Sequence, residues 1–335
     1  MRIDDRFFME LALREAWRYQ GLTYPNPAVG CALVKEGRLL AVEAHRKAGE
    51  SHAEVRALLK AYEALIGREA AVDPADADAV HDFLETIPEE LFRGVTAYVT
   101  LEPCAHHGRT PSCARLLARF PLHRVVIALA DPVAGHGGGA DTLALAGIEV
   151  EFGCCREEAQ ALLEPFGIWQ QRAFVLFKLA QTANGRIGGG YLSGPDALRH
   201  VHRLRAAADE MIIGGGTVRA DRPTLDCRFS RDPAPNLTIY SRKEDFDRTI
   251  PLFDVPDRSV EIRDDLRALL ERPGFLLVEG GEGMLRALQE RIDWLLLYQT
   301  PKLSPHPLSY NVDQKLEYLH TEPLGRDLLI WSRFG

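Results

Sequence analysis

The chain has 335 residues, 46% of them hydrophobic and 26% charged, with a formal net charge of −8. This length exceeds one ordinary core and suits two domains, and the composition is that of a globular protein. The acidic balance speaks against a sequence-independent grip on nucleic acid, and no apolar run approaches the roughly 18–20 residues that span a bilayer.

The first stretch, MRIDDRFFMELALREAW, is an acidic amphipathic pattern without an apolar signal core, and its spacing predicts a helix over residues 5–19. The cytoplasm is the expected compartment, where six cysteines point to metal or catalytic use before disulfides. TYPNPAVG reads as a turn segment, and CALVKEGRLLAVEA as a hairpin with Glu36 and Gly37 near its tip. Helical spacing returns from Ala53 to about Leu65. Residues 68–92, rich in Ala, Asp and Glu, are expected to form a solvated helical excursion. GVTAYVTL, RVVIALA and IEVEFG read as strands, with a helix at ADTLALAG before the last.

A second unit begins near residue 173. Its expected strands are FVLFKLA, EMIIGGG, NLTIY, GFLLVEGG, DWLLLYQT and RDLLIWS, with helices at DALRHVHRLRAAA and GMLRALQERI. A further short strand is expected at PKL. Strands alternating with helices predict α/β sheets in both halves. The domains are expected at 1–152 and 172–335, with 153–171, a helix near residues 156–166 and its following turn, connecting them.

The stretch TLEPCAHHGRTPSCA and the earlier GESHAEVRALL carry the chemistry. Zinc takes about four thiolate, imidazole or carboxylate ligands, and a catalytic site keeps one position for water. His52, Cys104 and Cys113 are the candidate ligands, with both cysteines expected at loop-to-helix junctions that favour thiolate. Glu54 is placed to take a proton from the water and pass it on. The pattern is that of zinc deaminases, H-x-E followed by P-C-x-x-C, except that eight residues separate the cysteines here. Other readings stay open at this point. Ser51 with Glu54 fits a helix capping box, His106 or His107 could replace a ligand, and the cysteines could be buried thiols. Cys31, Cys154, Cys155 and Cys227 show no ligand spacing.

TYPNPAVGCALVKEG, HAEVRAL, TLEPCAHHGRTPSCA and ALADP together resemble the deaminase half of the bifunctional riboflavin-biosynthesis deaminase–reductases, in which the second cysteine also follows after eight residues. FVLFKLAQTANGRI, VHRLRAAADEMIIGGGTVRADRPTLDCR and LLVEGGEGML resemble that family's reductase half. The resemblance implies a cytidine-deaminase-like α/β/α domain followed by a dihydrofolate-reductase-like α/β domain. It implies zinc-dependent hydrolytic deamination of 2,5-diamino-6-(5-phosphoribosylamino)pyrimidin-4(3H)-one, then NADPH-dependent reduction of the ribosyl group of the product to ribityl.

The resemblance also implies residue roles. One Zn2+ would be held by His52, Cys104 and Cys113, with Glu54 catalytic. Asn26, Gly189, Arg205, Leu225, Arg228 and Glu279 would contact a phosphorylated pyrimidine, the two arginines suiting its phosphate. NADPH would meet Gln181, Tyr191, Thr217, Asp221, Gly280, Gly281, Glu282, Gly283, Met284 and Leu285, where a glycine-rich strand-to-helix turn lets backbone N–H groups approach phosphate. The expected partners are small molecules, without nucleic acid or membrane, and a homo-oligomer is compatible with this. Three departures fall in the second half: Asn184 where relatives commonly carry aspartate, Tyr191 where they carry tryptophan, and SPHPLSY in place of a glycine-rich turn. They motivate an alternative, a single-activity deaminase with a degenerate structural C-terminal domain. A nucleic-acid deaminase is the other, which the acidic balance disfavours.

Overall fold

The computed structural model describes residues 3–106, 108, 110–133, 137–188, 190, 192–230 and 232–335. The chain divides into two units, Met1–Gly167 and Ile168–Gly335.

In the first unit, α1 (Asp5–Trp17) starts where the Asp4 carboxylate accepts the Phe7 N–H at 3.2 Å, satisfying one of the unpaired donors of a helix start. β1 (Gly30–Lys35) and β2 (Arg38–Ala44) form the expected hairpin. Glu36 and Gly37 have φ of 52° and 75°, the left-handed pair a two-residue type I′ turn needs. α2 (Ala53–Ile66), α3 (Ala77–Thr86), β3 (Val95–Val99), α4 (Cys113–Ala118), β4 (Arg124–Ile127), α5 (Gly139–Leu145), β5 (Glu149–Phe152) and α6 (Arg156–Trp169) follow. The sheet order is β2-β1-β3-β4-β5, with β3, β4 and β5 parallel and β1 antiparallel to β3. Every residue of β3 is buried, as a strand covered on both faces requires. Val55, Leu58 and Leu59 of α2 pack into the same core as Val95, Ala97 and Val99, and each fully buried Val or Leu side chain is worth roughly 1.5–3 kcal/mol. That packing holds α2 against β1 and β2.

One expectation changes here. Residues 68–92 are not simply a solvated excursion, because Val80, Leu84, Ile87 and Phe92 enter the core. Val80 and Leu84 are one helical turn apart, so α3 has an apolar stripe that the acidic composition hides. The helix expected near 156–166 is present as α6, and the division between the units falls after Gly167. Gln20 donates to the Leu162 carbonyl and Arg6 pairs with Glu158.

The second unit runs β6 (Ala173–Thr182), α7 (Pro195–Ala207), β7 (Glu210–Gly214), α8 (Gly215–Asp221), β8 (Asn236–Tyr240), β9 (Val260–Arg263), α9 (Arg267–Glu271), β10 (Gly274–Glu279), α10 (Glu282–Leu288), β11 (Trp294–Thr300), β12 (Leu316–Leu324) and β13 (Asp327–Phe334). Its sheet order is β12-β13-β11-β6-β10-β7-β8-β9. The six strands from β11 to β9 are parallel, and β13 and β12 extend them antiparallel. The chain goes from β6 to β7, leaving a place that β10 later fills, and then crosses to β11 on the far side of β6. Such a switch opens a crevice at the carboxyl ends of the strands, the usual ligand position in open parallel sheets. β11 ends at Thr300, so the strand expected at Pro301–Leu303 is absent, consistent with a proline that has no N–H to give a ladder. Among the described residues, no helix is long and apolar enough to cross a membrane.

Candidate functional sites

His52 is the N-cap of α2, just ahead of the first helical turn, and makes no side-chain cap bond. Its imidazole is therefore free to face the loop after β3. Nδ1 lies 3.4 Å from Cys113 Sγ and 3.8 Å from Cys104 Sγ. Metal bonds of about 2.0 Å to nitrogen and 2.3 Å to sulfur in a tetrahedron put N and S about 3.5 Å apart, so these three atoms already have ligand spacing. Among the described residues they form one of two groups compact enough to hold a cation; the other, His81, Asp82 and Glu85, is largely exposed. Cys113 opens α4, as expected, but Cys104 sits in the loop, and its sulfur accepts the Cys113 N–H at 3.4 Å. The Cys113 thiol's hydrogen bond, opposed by burial, holds Cys104 down to about 4, while the same bond and burial push Cys113 up. With Nδ1 on the sulfurs, Nε2 carries the hydrogen and donates to Thr110 Oγ1 at 3.2 Å.

Glu54 is buried in the first turn of α2 beside these groups, and burial pushes its carboxyl up to about 7, against the pull of His52's charge. The capping-box alternative does not form. Ser51 lies outside the cap position, and its buried hydroxyl has no hydrogen-bond partner among the described residues. His106 is exposed and outside the cluster, whereas His107 lies outside the described residues.

His45 is a member the sequence did not announce. It follows β2, is 2% exposed, and packs its ring edge-on against that of His52 at 5.1 Å. Nδ1 donates to the Ser51 carbonyl at 3.3 Å, which leaves Nε2 to accept from the Asn26 amide at 3.1 Å. Burial first, and the neighbouring His52 charge second, push it down to about 3, so it is neutral near pH 7. Asn26 is thus tied to the His52, Cys104 and Cys113 cluster through His45.

Glu102, the glutamate of the EPC motif, is also buried. Its carboxylate accepts the N–H groups of Asp131, Gly138 and Ala140 at 3.3, 3.0 and 3.1 Å. This joins the Cys104 loop to the turn after β4 and the start of α5. The approach is tight, since a Cβ on Gly139 would lie 1.8 Å from the Pro103 carbonyl oxygen.

In the second unit, Glu279 ends β10 and is buried. It accepts from Arg205 Nε at 2.7 Å, Arg205 Nη2 at 3.1 Å and Lys178 Nζ at 3.3 Å. Burial would raise its carboxyl, but the charges of Arg205 and Lys178 and their hydrogen bonds hold it down to about 2. Lys178, one strand away on β6, is a site residue the motif reading passed over. Arg205 differs from the expected open phosphate fork, because Nε and Nη2 engage Glu279 and Nη1 donates to the Asp226 carbonyl at 3.1 Å. A buried guanidinium needs such a partner. Arg228 is exposed and paired to Asp226 at 2.9 Å. Leu225 between them is buried at φ 56°, a strained setting for a branched side chain. Arg258 holds it there by donating to the Thr224, Leu225 and Leu252 carbonyls.

Thr217 and Asp221 lie on α8, which leaves the carboxyl end of β7, and Gly280–Leu285 form the turn from β10 into α10. The two turns adjoin, since a Cβ on Gly280 would sit 4.0 Å from the Gly214 nitrogen. The side chains of Met284 and Leu285 enter the core, and that of Met284 also lies against Gly214 and Gly280, where an added Cβ would meet it at 3.6 and 2.7 Å. Glu282 pairs with Arg286, and Gln181 is half-buried on β6 opposite Gln299. Gly189 and Tyr191 lie outside the described residues.

Residues 2–129 match the family described as the cytidine and deoxycytidylate deaminase zinc-binding region, and residues 173–329 match the RibD C-terminal domain. The riboflavin biosynthesis protein RibD of Aquifex aeolicus is 38% identical, with 98% of each chain covered. The RibD of Mycobacterium tuberculosis is 32% identical over 96% of this chain and 95% of its own. Among solved structures, Acinetobacter baumannii RibD aligns over 99% of both chains at 28% identity with a TM-score of 0.67. A Thermotoga maritima diaminohydroxyphosphoribosylaminopyrimidine deaminase/5-amino-6-(5-phosphoribosylamino)uracil reductase aligns over 99% of both chains at 27% identity and 0.65. Two α/β units, each matched to one half of these proteins, place the chain in the RibD family of bifunctional riboflavin-biosynthesis deaminase–reductases.

Proposed function

We propose that residues 1–152 hydrolytically deaminate 2,5-diamino-6-(5-phosphoribosylamino)pyrimidin-4(3H)-one in a zinc-dependent step. Residues 172–335 then use NADPH to reduce the ribosyl group of 5-amino-6-(5-phosphoribosylamino)uracil to ribityl, and 153–171 link the two. The observation that carries this reading is the His52 imidazole 3.4 and 3.8 Å from two sulfurs, with Glu54 buried alongside.

Two thiols and an imidazole are a donor set suited to zinc, and His52, Cys104 and Cys113 would hold one ion per chain. Zinc, when bound, supplies the Lewis acidity that makes water a nucleophile near neutral pH. Glu54 takes the proton from that water on its carboxylate and returns it to the departing amine nitrogen. Thr110 fixes the His52 ring, while Asn26 and the neutral His45 offer amide and imidazole to the polar edge of the pyrimidine. Cys104 and Cys113 must stay reduced to serve as thiolates, which the cytoplasm supports.

In the second unit, NADPH, when bound, supplies the hydride. Gln181, Thr217, Asp221 and the backbone of Gly280–Leu285, with Gly189 and Tyr191 by resemblance, are the residues we assign around cofactor and sugar. Glu279 neutralises and orients Lys178 and Arg205 at the carboxyl edge of the sheet, beside Leu225. Arg228, its side chain 53% exposed, is the better placed of the two arginines for the substrate phosphate.

The test is purified full chain with the diaminopyrimidinone phosphate, with and without NADPH, and products identified by mass spectrometry. Exchange of one amine for oxygen without NADPH, and gain of two hydrogens on adding it, is the expected result. No deaminated product would overturn the first assignment. Deaminated product that NADPH leaves unreduced would overturn the second.

A further inference from the structure

Asn184 and the segment 304–310, noted above as separate departures, are one structural feature. The Asn184 amide makes a two-way bond with the backbone of one residue of the segment: Nδ2 donates to the Ser304 carbonyl at 2.9 Å, and Oδ1 accepts the Ser304 N–H at 3.1 Å. Oδ1 also accepts from the Thr182 hydroxyl at 2.7 Å, which fixes which way the amide points. Only a side-chain amide can both give and take here. An aspartate of the same shape would set a carboxylate oxygen against the Ser304 carbonyl.

The pairing continues along the chain. Ala183 N–H donates to the Lys302 carbonyl at 2.9 Å, Ile187 N–H to the Leu308 carbonyl at 3.1 Å, and Arg186 bridges Ser309. His306 lies directly over Gly188, where an added Cβ would meet its ring at 2.1 Å. Further on, the Tyr310 hydroxyl donates to the Gly280 carbonyl at 3.3 Å, and Arg286 donates to the Asn311 carbonyl. Residues 301–312 therefore run across the carboxyl edge of the second sheet, fastened at one end to the loop after β6 and at the other to the turn after β10. Those two connections flank the crevice where an open parallel sheet takes its ligand.

We propose that residues 301–312 are a positioning strap for the nicotinamide cofactor, with Asn184 and Tyr310 as its two anchors. The proposal rests on the assignment of NADPH to this crevice. The strap preorganises the Gly280 turn and the loop after β6 relative to each other, so that cofactor binding need not order them. Neither anchor takes part in hydride transfer. Loosening the strap therefore weakens cofactor binding in ground and transition states alike, which raises KM and spares kcat.

The experiment uses the full chain and its Asn184→Asp, Asn184→Ala and Tyr310→Phe variants. NADPH binding is followed by fluorescence titration, reduction by steady-state kinetics, strap order by hydrogen exchange, and deamination as a control. Asn184→Asp should raise Kd and KM for NADPH by about five- to twenty-fold with kcat held, and should lose amide protection at Ser304 and Ile187, whose N–H groups make the cross-strap bonds. Asn184→Ala, which removes the bonds without opposing two oxygens, should do less harm than the isosteric aspartate. Tyr310→Phe should show a smaller rise of the same kind, and deamination should not change. Wild-type chain that fails to bind NADPH would overturn the cofactor assignment and the strap with it. Wild-type that binds while the Asn184 variants lose protection and bind equally well would overturn the strap alone, as would alanine proving worse than aspartate.

Discussion

Removing the Glu102 carboxylate should destabilise the first unit and loosen the proposed metal site together. Three backbone N–H groups, from Asp131, Gly138 and Ala140, donate to this one buried side chain. A hydrogen bond to a charged group is worth about 1.5–3 kcal/mol, and a donor left buried without a partner adds its own desolvation cost. Glu102→Ala exposes all three donors at once, and with partial rescue by water the loss should be about 3–5 kcal/mol. Glu102→Gln keeps the oxygen that serves Gly138 and Ala140 but turns an NH2 toward Asp131 N–H, so its cost should fall near a single bond, about 1.5–3 kcal/mol. Because Pro103 and Cys104 follow directly, zinc affinity should fall in the same order. Urea titration read by hydrogen exchange resolves the two units: protection of β3 and β4 should be lost earlier in both variants, with β6 and β10 unmoved. Unchanged β3 protection in Glu102→Ala, within about 0.5 kcal/mol, would refute the reasoning.

Thr110→Val keeps the shape but removes the oxygen that receives His52 Nε2–H, and zinc affinity measured by chelator competition should drop roughly ten-fold or more; an unchanged affinity would mean the ring is oriented by other contacts. Glu54→Ala should retain zinc and lose about 10²–10⁴ in deamination rate, whereas near-normal turnover would remove Glu54 from the proton path. Glu279 has a folded value of about 2 against 4.5 for the ordinary carboxyl. Unfolded chain therefore binds the proton more tightly, so the contribution is fully present above about pH 4.5 and is lost as pH falls toward 2. The span corresponds to about 3 kcal/mol, and acid unfolding of the second unit should lose this slope in Glu279→Gln. An identical slope in the variant would place the linkage elsewhere.

What the sequence disclosed follows from how local each signal is. Cys104, Cys113 and His52 could be read because thiols and imidazole near prolines and a helix start are a chemical pattern in one dimension. The Glu36–Gly37 turn was legible for the same reason, since its backbone demand is met by two adjacent residues. His45 was not, because its two hydrogen bonds come from Asn26 and Ser51, and nothing at its own position marks it. Lys178 is likewise one cation on an apolar strand until β10 brings Glu279 beside it. Elements failed in the same way. α8 begins with Gly215–Gly216, which weakens any helical pattern. β12 is an exposed edge strand carrying Pro323, so it lacks the alternation that marks half-buried strands. Asn184 shows the opposite case, a residue conspicuous in the sequence whose meaning depended on Ser304, far along the chain.

X-ray absorption at the zinc edge on the purified full chain, with metal content measured on the same sample, tests the central claim most directly. One zinc per chain should be found, with two sulfur scatterers at about 2.3 Å and a nitrogen at about 2.0 Å, and the sulfur shell should shrink by half in Cys104→Ser. Zinc surrounded by oxygen and nitrogen alone, or a metal-replete preparation that holds none, would contradict the account.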